Sequence, residues 1–316
     1  MAMHHKTRFV TVLFLLLLFI DIESGLAQVM SFHTQTAMSI GFEERAVRSF
    51  FRAVNKSGLR TGRRTVKDPL DRNVTILATP IVVPFAVTRR LIPILIVPSM
   101  RKQLTTTENG VKQEIRNTGI SDVTLNLKYA FWQRDRLNQT TRLAAFAAVK
   151  FPTGSTDETD ASGKPLPAGL QLGTGSWDFP FGLAFTRSSG RFGLNAALFY
   201  RINTEHEAID FGNQFNSDLA FGYRLYPAQY ETYREKVVNL YLEINSTVTG
   251  KNQINGETDS SSGGHTIFLS PGLQWVLRQN LLIEASLQLP VFEDLNGTQL
   301  ENDFVFSAGM RYLLPF

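Results

Sequence analysis

Between residues 123 and 131 apolar and polar side chains take turns: Val123, Leu125, Leu127, Tyr129 and Phe131 against Thr124, Asn126, Lys128 and Ala130. Successive side chains of a strand point to opposite faces, so this spacing builds a strand with one apolar and one polar face, whereas helical spacing would mix the two sets. The pattern recurs down the chain. Leu143, Ala145, Ala147, Val149 and Phe151 oppose Arg142 and Lys150, and Phe192, Leu194, Ala196, Leu198 and Tyr200 oppose Asn195 and Arg201. Leu219, Phe221, Tyr223 and Leu225 oppose Asp218 and Arg224; Val238, Leu240, Leu242 and Ile244 oppose Asn239 and Glu243. Leu281, Ile283, Ala285, Leu287 and Leu289 oppose Glu284. Eleven such segments run from Val74 onward, the first two, 74–87 and 91–101, being rich in Pro and least regular.

A soluble β-sandwich also alternates, so the connections decide. Those at 88–90, 188–191 and 278–280 are short, whereas 104–121, 152–176 and 250–264 are long and rich in Gly, Ser, Thr and Asp. Alternating short and long links belong to strands that run up and down between a turn side and a loop side. A single-chain barrel of that kind has an even strand number with both ends on the turn side, so one more strand is expected before Val74. Residues 46–54 are the candidate, with a short helix as the alternative. The expected architecture is all-β: a transmembrane up-and-down antiparallel β-barrel of about twelve strands.

The two ends point to a compartment. His4, His5, Lys6 and Arg8 precede an apolar run over 9–20, and Gly25-Leu26-Ala27 supplies the small residues a signal peptidase reads. The run is shorter than the roughly 20 residues that cross a bilayer as a helix. The spacing predicts a cleaved signal peptide over 1–27, a lead segment over 28–43 and the barrel over 44–316, placed in the cell outer membrane. At the other end Phe304, Phe306, Ala308, Met310, Tyr312, Leu314 and Phe316 fall on one face of a final strand. Tyr312, Leu314 and Phe316 resemble the C-terminal signal of outer-membrane proteins that the barrel-assembly machinery reads. Trp132 and Trp275 near turn-side strand ends and Trp177 near a loop-side end suit the interfacial aromatic girdle. The chain has no Cys, which excludes disulfides, thiol nucleophiles and Cys-ligated metals, and its net charge of +4 is too small to point to nucleic acid.

Lys150-Phe151-Pro152-Thr153-Gly154 and Leu172-Gly173-Thr174-Gly175-Ser176-Trp177-Asp178 resemble the outer-membrane family named for the meta-pathway of phenol degradation. Gly119-Ile120-Ser121-Asp122-Val123-Thr124-Leu125, Leu269-Ser270-Pro271-Gly272-Leu273-Gln274-Trp275 and Leu287-Gln288-Leu289-Pro290-Val291 fit the same family. The resemblance covers most of 44–316 and implies a barrel that admits aromatic or other small compounds. The Pro-rich stretch 80–98 departs from it.

With lipid outside, polar side chains must turn inward. That places Lys128, Arg142, Lys150, Arg201, Arg224, Glu243, Glu284 and Arg311 on a lumen or solute path, with Arg101, Asp178 and Asp218 beside them. Two readings of these charges stay open: a constriction that selects small-molecule solutes, and cross-lumen ion pairs bracing a blocked structural or adhesive barrel. An enzyme is not expected, because His265 and Ser270, the Ser and His that share one predicted strand, have opposite parity. His33, His206 and His265 lack metal-ligand spacing, the acidic loop 155–160 lacks the Gly and distant Glu of a calcium loop, and Gly173-Thr174-Gly175 opens no helix. No metal and no cofactor are expected; the expected partners are outer-membrane lipid, the assembly machinery and a small solute.

Overall fold

The structure, a computed structural model, describes residues 31–38, 45–229 and 236–314. The expected signal peptide over 1–27 and the terminal Phe316 lie outside the described residues.

Antiparallel strands follow one another around a closed ring: β1 (Arg45–Gly62), β2 (Asn73–Pro84), β3 (Leu91–Glu108), β4 (Thr124–Arg136), β5 (Gln139–Lys150), β6 (Phe179–Ser189), β7 (Phe192–Ile202), β8 (Gln214–Tyr226), β9 (Val237–Thr249) and β10 (Gly264–Arg278). The last extended run, Leu281–Leu314, is 34 residues long and serves two neighbours. Its first half pairs with β10 and its second half with β1, from Gly62↔Leu295 to Arg45↔Leu314. It turns back at Asn296-Gly297, where Gly297 has φ 55°, and the Leu313 N–H donates to Asn280 O at 2.9 Å. The eleven runs of the ring thus make twelve passes through the wall, the last two being β11 (281–295) and β12 (298–314). Pairing β12 with β1 leaves the ring no free edge, which a bilayer requires.

The wall is polar inside and apolar outside. Leu127, Phe181, Leu198, Phe221, Leu242, Leu287 and Phe306, each on a different strand, stay 37% to 47% exposed. An apolar belt of that extent does not stand in water and is satisfied by lipid. Trp132, Trp177 and Trp275 project from the same outer side. Conversely, the fully buried large side chains are Arg224, Gln274, Glu243 and Asn239, all on the inner face. No helix is long and apolar enough to cross a membrane among the described residues.

The structure departs from the sequence reading in three places. Residues 104–121 are not a loop: β3 runs on to Glu108, keeps β2 as a neighbour as far as Thr105 and pairs on its other side with Val111–Ile120, so this hairpin arm extends the sheet on the loop side. Asn109 (φ 53°) and Gly110 (φ 77°) turn it, as the hairpin preference of Asn-Gly demands. The alternation also slips within segments, at bulges between Ala130 and Trp132 and between Arg224 and Tyr226. Finally, Arg101 faces outward. It pairs with Leu77, whereas its neighbour Met100 pairs with Ala78 and so shares the inner face with Arg52.

Candidate functional site

Residues 31–38 of the lead segment lie inside the barrel, and Glu243 holds them. Its carboxylate is fully buried and accepts backbone N–H groups from Phe32 (2.8 Å), His33 (3.2 Å) and Thr34 (2.7 Å). Three successive N–H groups aimed at one anion form a nest, so this contact balances the carboxylate without a cation. Further along, the Ala37 N–H donates to Thr186 Oγ1 at 2.9 Å, and the Lys128 ammonium donates to Met38 O. Ala37 packs in an inner apolar cluster with Ala144, Phe146, Ala184 and Ala197. The Arg48 guanidinium donates to Phe32 O at 3.3 Å and stacks 4.8 Å from the Phe32 ring and 5.0 Å from the Phe50 ring. His33 is held well below its ordinary pKa by burial, with Arg52 and Arg48 adding to the effect, so its imidazole is neutral at pH 7.

Beside this plug lies a cavity of about 430 Å³. One side of it is apolar: Pro80, Val82 and Pro84 of β2 and Ile92, Ile94 and Ile96 of β3, with Val82 opposite Ile96 and Pro84 opposite Ile94. The Pro-rich stretch is therefore apolar on both faces, outward to lipid through Ile81 and Leu95 and inward to the cavity. The remainder is polar and basic: Arg48 and Arg52 on β1, Lys128 on β4, Arg311 on β12, with Asn126, Asn245, Gln288 and Asp218.

All eight residues read from the sequence as lumen charges stand on the inner face, at different depths. Lys128 and Arg311 line the cavity, and Glu243 sits under the plug. Glu284 pairs with Arg48 at 2.8 Å. Arg224 is buried toward the turn side, and Arg142 reaches Asp135 at 3.5 Å at that same end. Arg201 and Lys150 stand at the loop-side rim. Ser270 and His265 are on opposite faces: Ser270 donates to Asn245 at 2.8 Å, and His265 bonds Ser246 at 2.9 Å. His206 lies 3.6 Å from Glu207 and away from the other two. Sequence reasoning missed the plug and the pair Arg48 and Arg52. The period-two spacing Arg48, Phe50, Arg52 was their available signal.

Lys150 organises the rim, ion-paired to Asp122 (3.1 Å) and Asp178 (2.7 Å). Asp122 also accepts the N–H groups of Gly154 (3.0 Å) and Thr174 (3.0 Å), and Ser176 donates to Asp178 at 2.9 Å. The loops approach so closely that a Cβ on Gly173 would stand 2.3 Å from Gly154 O. Three of the five segments that carry the family resemblance, around Asp122, Lys150 and Gly173 to Asp178, thus meet in one buried cluster. From it the 151–178 loop crosses the inner face of the arm, where Lys102 donates to Gly169 O (3.2 Å) and Asn117 to Leu170 O (3.1 Å).

Among solved structures the chain is similar to the COG4313 outer membrane channel from Pseudomonas putida F1, with TM-score 0.66 and 14% identity, over 87% of this chain and 97% of that one. The β domain of the Bordetella autotransporter BrkA gives TM-score 0.47 and 10% identity over 86% and 100%. A FadL homologue from Pseudomonas aeruginosa gives 0.40 and 11% over 85% and 90%. No curated protein matches the sequence. The first of these shares the outer-membrane barrel fold, in keeping with the lipid-facing belt. Residues 77–294, more than half of the chain, match the family described as "Putative MetA-pathway of phenol degradation", and the chain belongs to that outer-membrane family.

Proposed function

We propose that the barrel is an outer-membrane channel for small hydrophobic compounds, closed in this form by its own residues 31–38. The observation that carries the reading is the 430 Å³ cavity with an apolar wall inside a lipid-belted barrel. An inner wall that only braced the barrel would gain from complementary charges, whereas Val82, Pro84, Ile92, Ile94 and Ile96 offer a passing apolar solute a surface. The similar Pseudomonas putida structure is an outer membrane channel, and the family description concerns phenol degradation; both support passage of small compounds. The eight lumen charges form the solute path in this reading, and transport needs no chemical step. Residues 1–27 act as the export signal, and the C-terminal face ending in Tyr312, Leu314 and Phe316 engages the assembly machinery.

Reversal potential in planar bilayers tests the path. Lys128→Glu reverses a charge at the cavity and shifts selectivity toward cations, while Leu127→Val, one residue away on the lipid side, leaves it unchanged. Equal reversal potentials in both variants would remove the cavity from the conduction path. The blocked, structural reading is favoured by one observation, the plug itself, and a folded wild type that never passes current under any applied voltage would support it.

A further inference from the structure

We infer that the cavity beside the plug is a binding site for an amphipathic carboxylate, an apolar body of aromatic or aliphatic carbon ending in one anionic group. This rests on the lumen being a solute path and names the class of compound that path selects.

Strand register sets the shape. Val82, Pro84 and the three isoleucines of β3 form a continuous inner strip across two strands. On one side it is bordered by β1, where Arg48 pairs with Val82 and Arg52 with Ala78. On the other it is bordered by β4, where Lys128 pairs with Ile92 and Asn126 with Ile94. The apolar strip thus runs between two cationic margins.

Those cations differ from the other charges of the lumen in how they are balanced. Arg48 has Glu284, and Lys150 has two carboxylates. Lys128 is buried, and its ammonium has Met38 O and the Phe146 ring at 5.5 Å. The Arg52 guanidinium has the Gln288 side-chain oxygen at 3.3 Å. Neither makes an ion pair with a carboxylate among the described residues. Asp218, the carboxylate on the cavity wall, is engaged by the Asn245 amide at 3.1 Å. Neutral His33 adds no anion, and its Nε2 has no partner among the described residues. Cations out of water without a counter-charge are costly, and a ligand carboxylate supplies one. At roughly 30 Å³ per water-sized group the cavity holds about fourteen such groups, the size of a phenylalkanoic or medium-chain acid.

The test compares 4-phenylbutyrate with 4-phenylbutan-1-ol, equal in carbon skeleton and different in charge, by calorimetric titration of the full-length protein folded in detergent. The wild type is expected to bind the acid about tenfold or more tighter than the alcohol. Arg52→Gln removes most of that preference with alcohol binding unchanged, and Arg52→Lys keeps it; a heat-dependent shift in gel mobility verifies that each variant is folded. Equal affinity of the wild type for acid and alcohol would overturn the site, as would an undiminished preference in folded Arg52→Gln. Wild-type conductance, measured separately, keeps the two ideas apart: acid binding without current leaves the site and removes the channel, and current without acid preference does the reverse.

Discussion

Glu243→Gln is expected to free the lumen of residues 31–38 and to raise channel conductance. The carboxylate accepts three adjacent backbone N–H groups through two oxygens, whereas a glutamine in its place offers one oxygen and turns an NH2 group toward donors. Hydrogen bonds to a charged group contribute about 1.5–3 kcal/mol each, so the exchange weakens docking by about 2–3 kcal/mol, a roughly 30- to 150-fold shift toward the undocked segment. The contacts at Thr186 and Lys128 remain and set the upper end of the effect. Because the chain has no Cys, Gln35→Cys gives a single label site on the segment. Maleimide labelling at that site should accelerate in the Glu243→Gln background, together with larger or more frequent openings. Unchanged labelling and unchanged current would mean that Glu243 does not hold the plug.

A second large effect is expected at the loop-side rim. Asp122→Ala removes the acceptor of the Gly154 and Thr174 N–H groups and one of the two carboxylates paired with the Lys150 ammonium. Asp178 still balances Lys150, so the cost is that of the orphaned donors, about 3 kcal/mol, and it falls on the anchoring of the 151–178 loop. Limited proteolysis should cut that loop in the variant and spare it in the wild type, with the barrel itself still resistant. Equal protection in both would show that the arm contacts of Lys102 and Asn117 hold the loop without the cluster.

The wall was legible in the sequence because lipid outside and water inside impose opposite demands on adjacent residues. Leu127 and Lys128, or Leu242 and Glu243, report those demands directly, and every lumen charge chosen by parity on such strands is inward. The same contrast explains the failures. Where the inner face is apolar too, as at Ile92, Ile94 and Ile96, alternation vanishes, and the phase of β2 and β3 could not be read; Arg101 was misplaced for that reason. The arm was mistaken for a loop because one of its faces is polar and the other carries only scattered apolar residues such as Leu104 and Ile115, although Asn109-Gly110 marked its turn. Residues 31–38 carry no period at all. Their backbone is fixed by Glu243 more than two hundred positions away, a tertiary contact that local spacing does not encode.

The central claim, that the lumen is a path closed by the protein's own lead segment, is tested most directly by planar-bilayer conductance of the wild type beside a chain lacking residues 31–38. The account predicts small or infrequent openings from the wild type and a larger, steady conductance from the shortened chain, both proteins showing the heat-dependent mobility of a folded barrel. Identical traces from the two, or no current from the folded shortened chain, would contradict it.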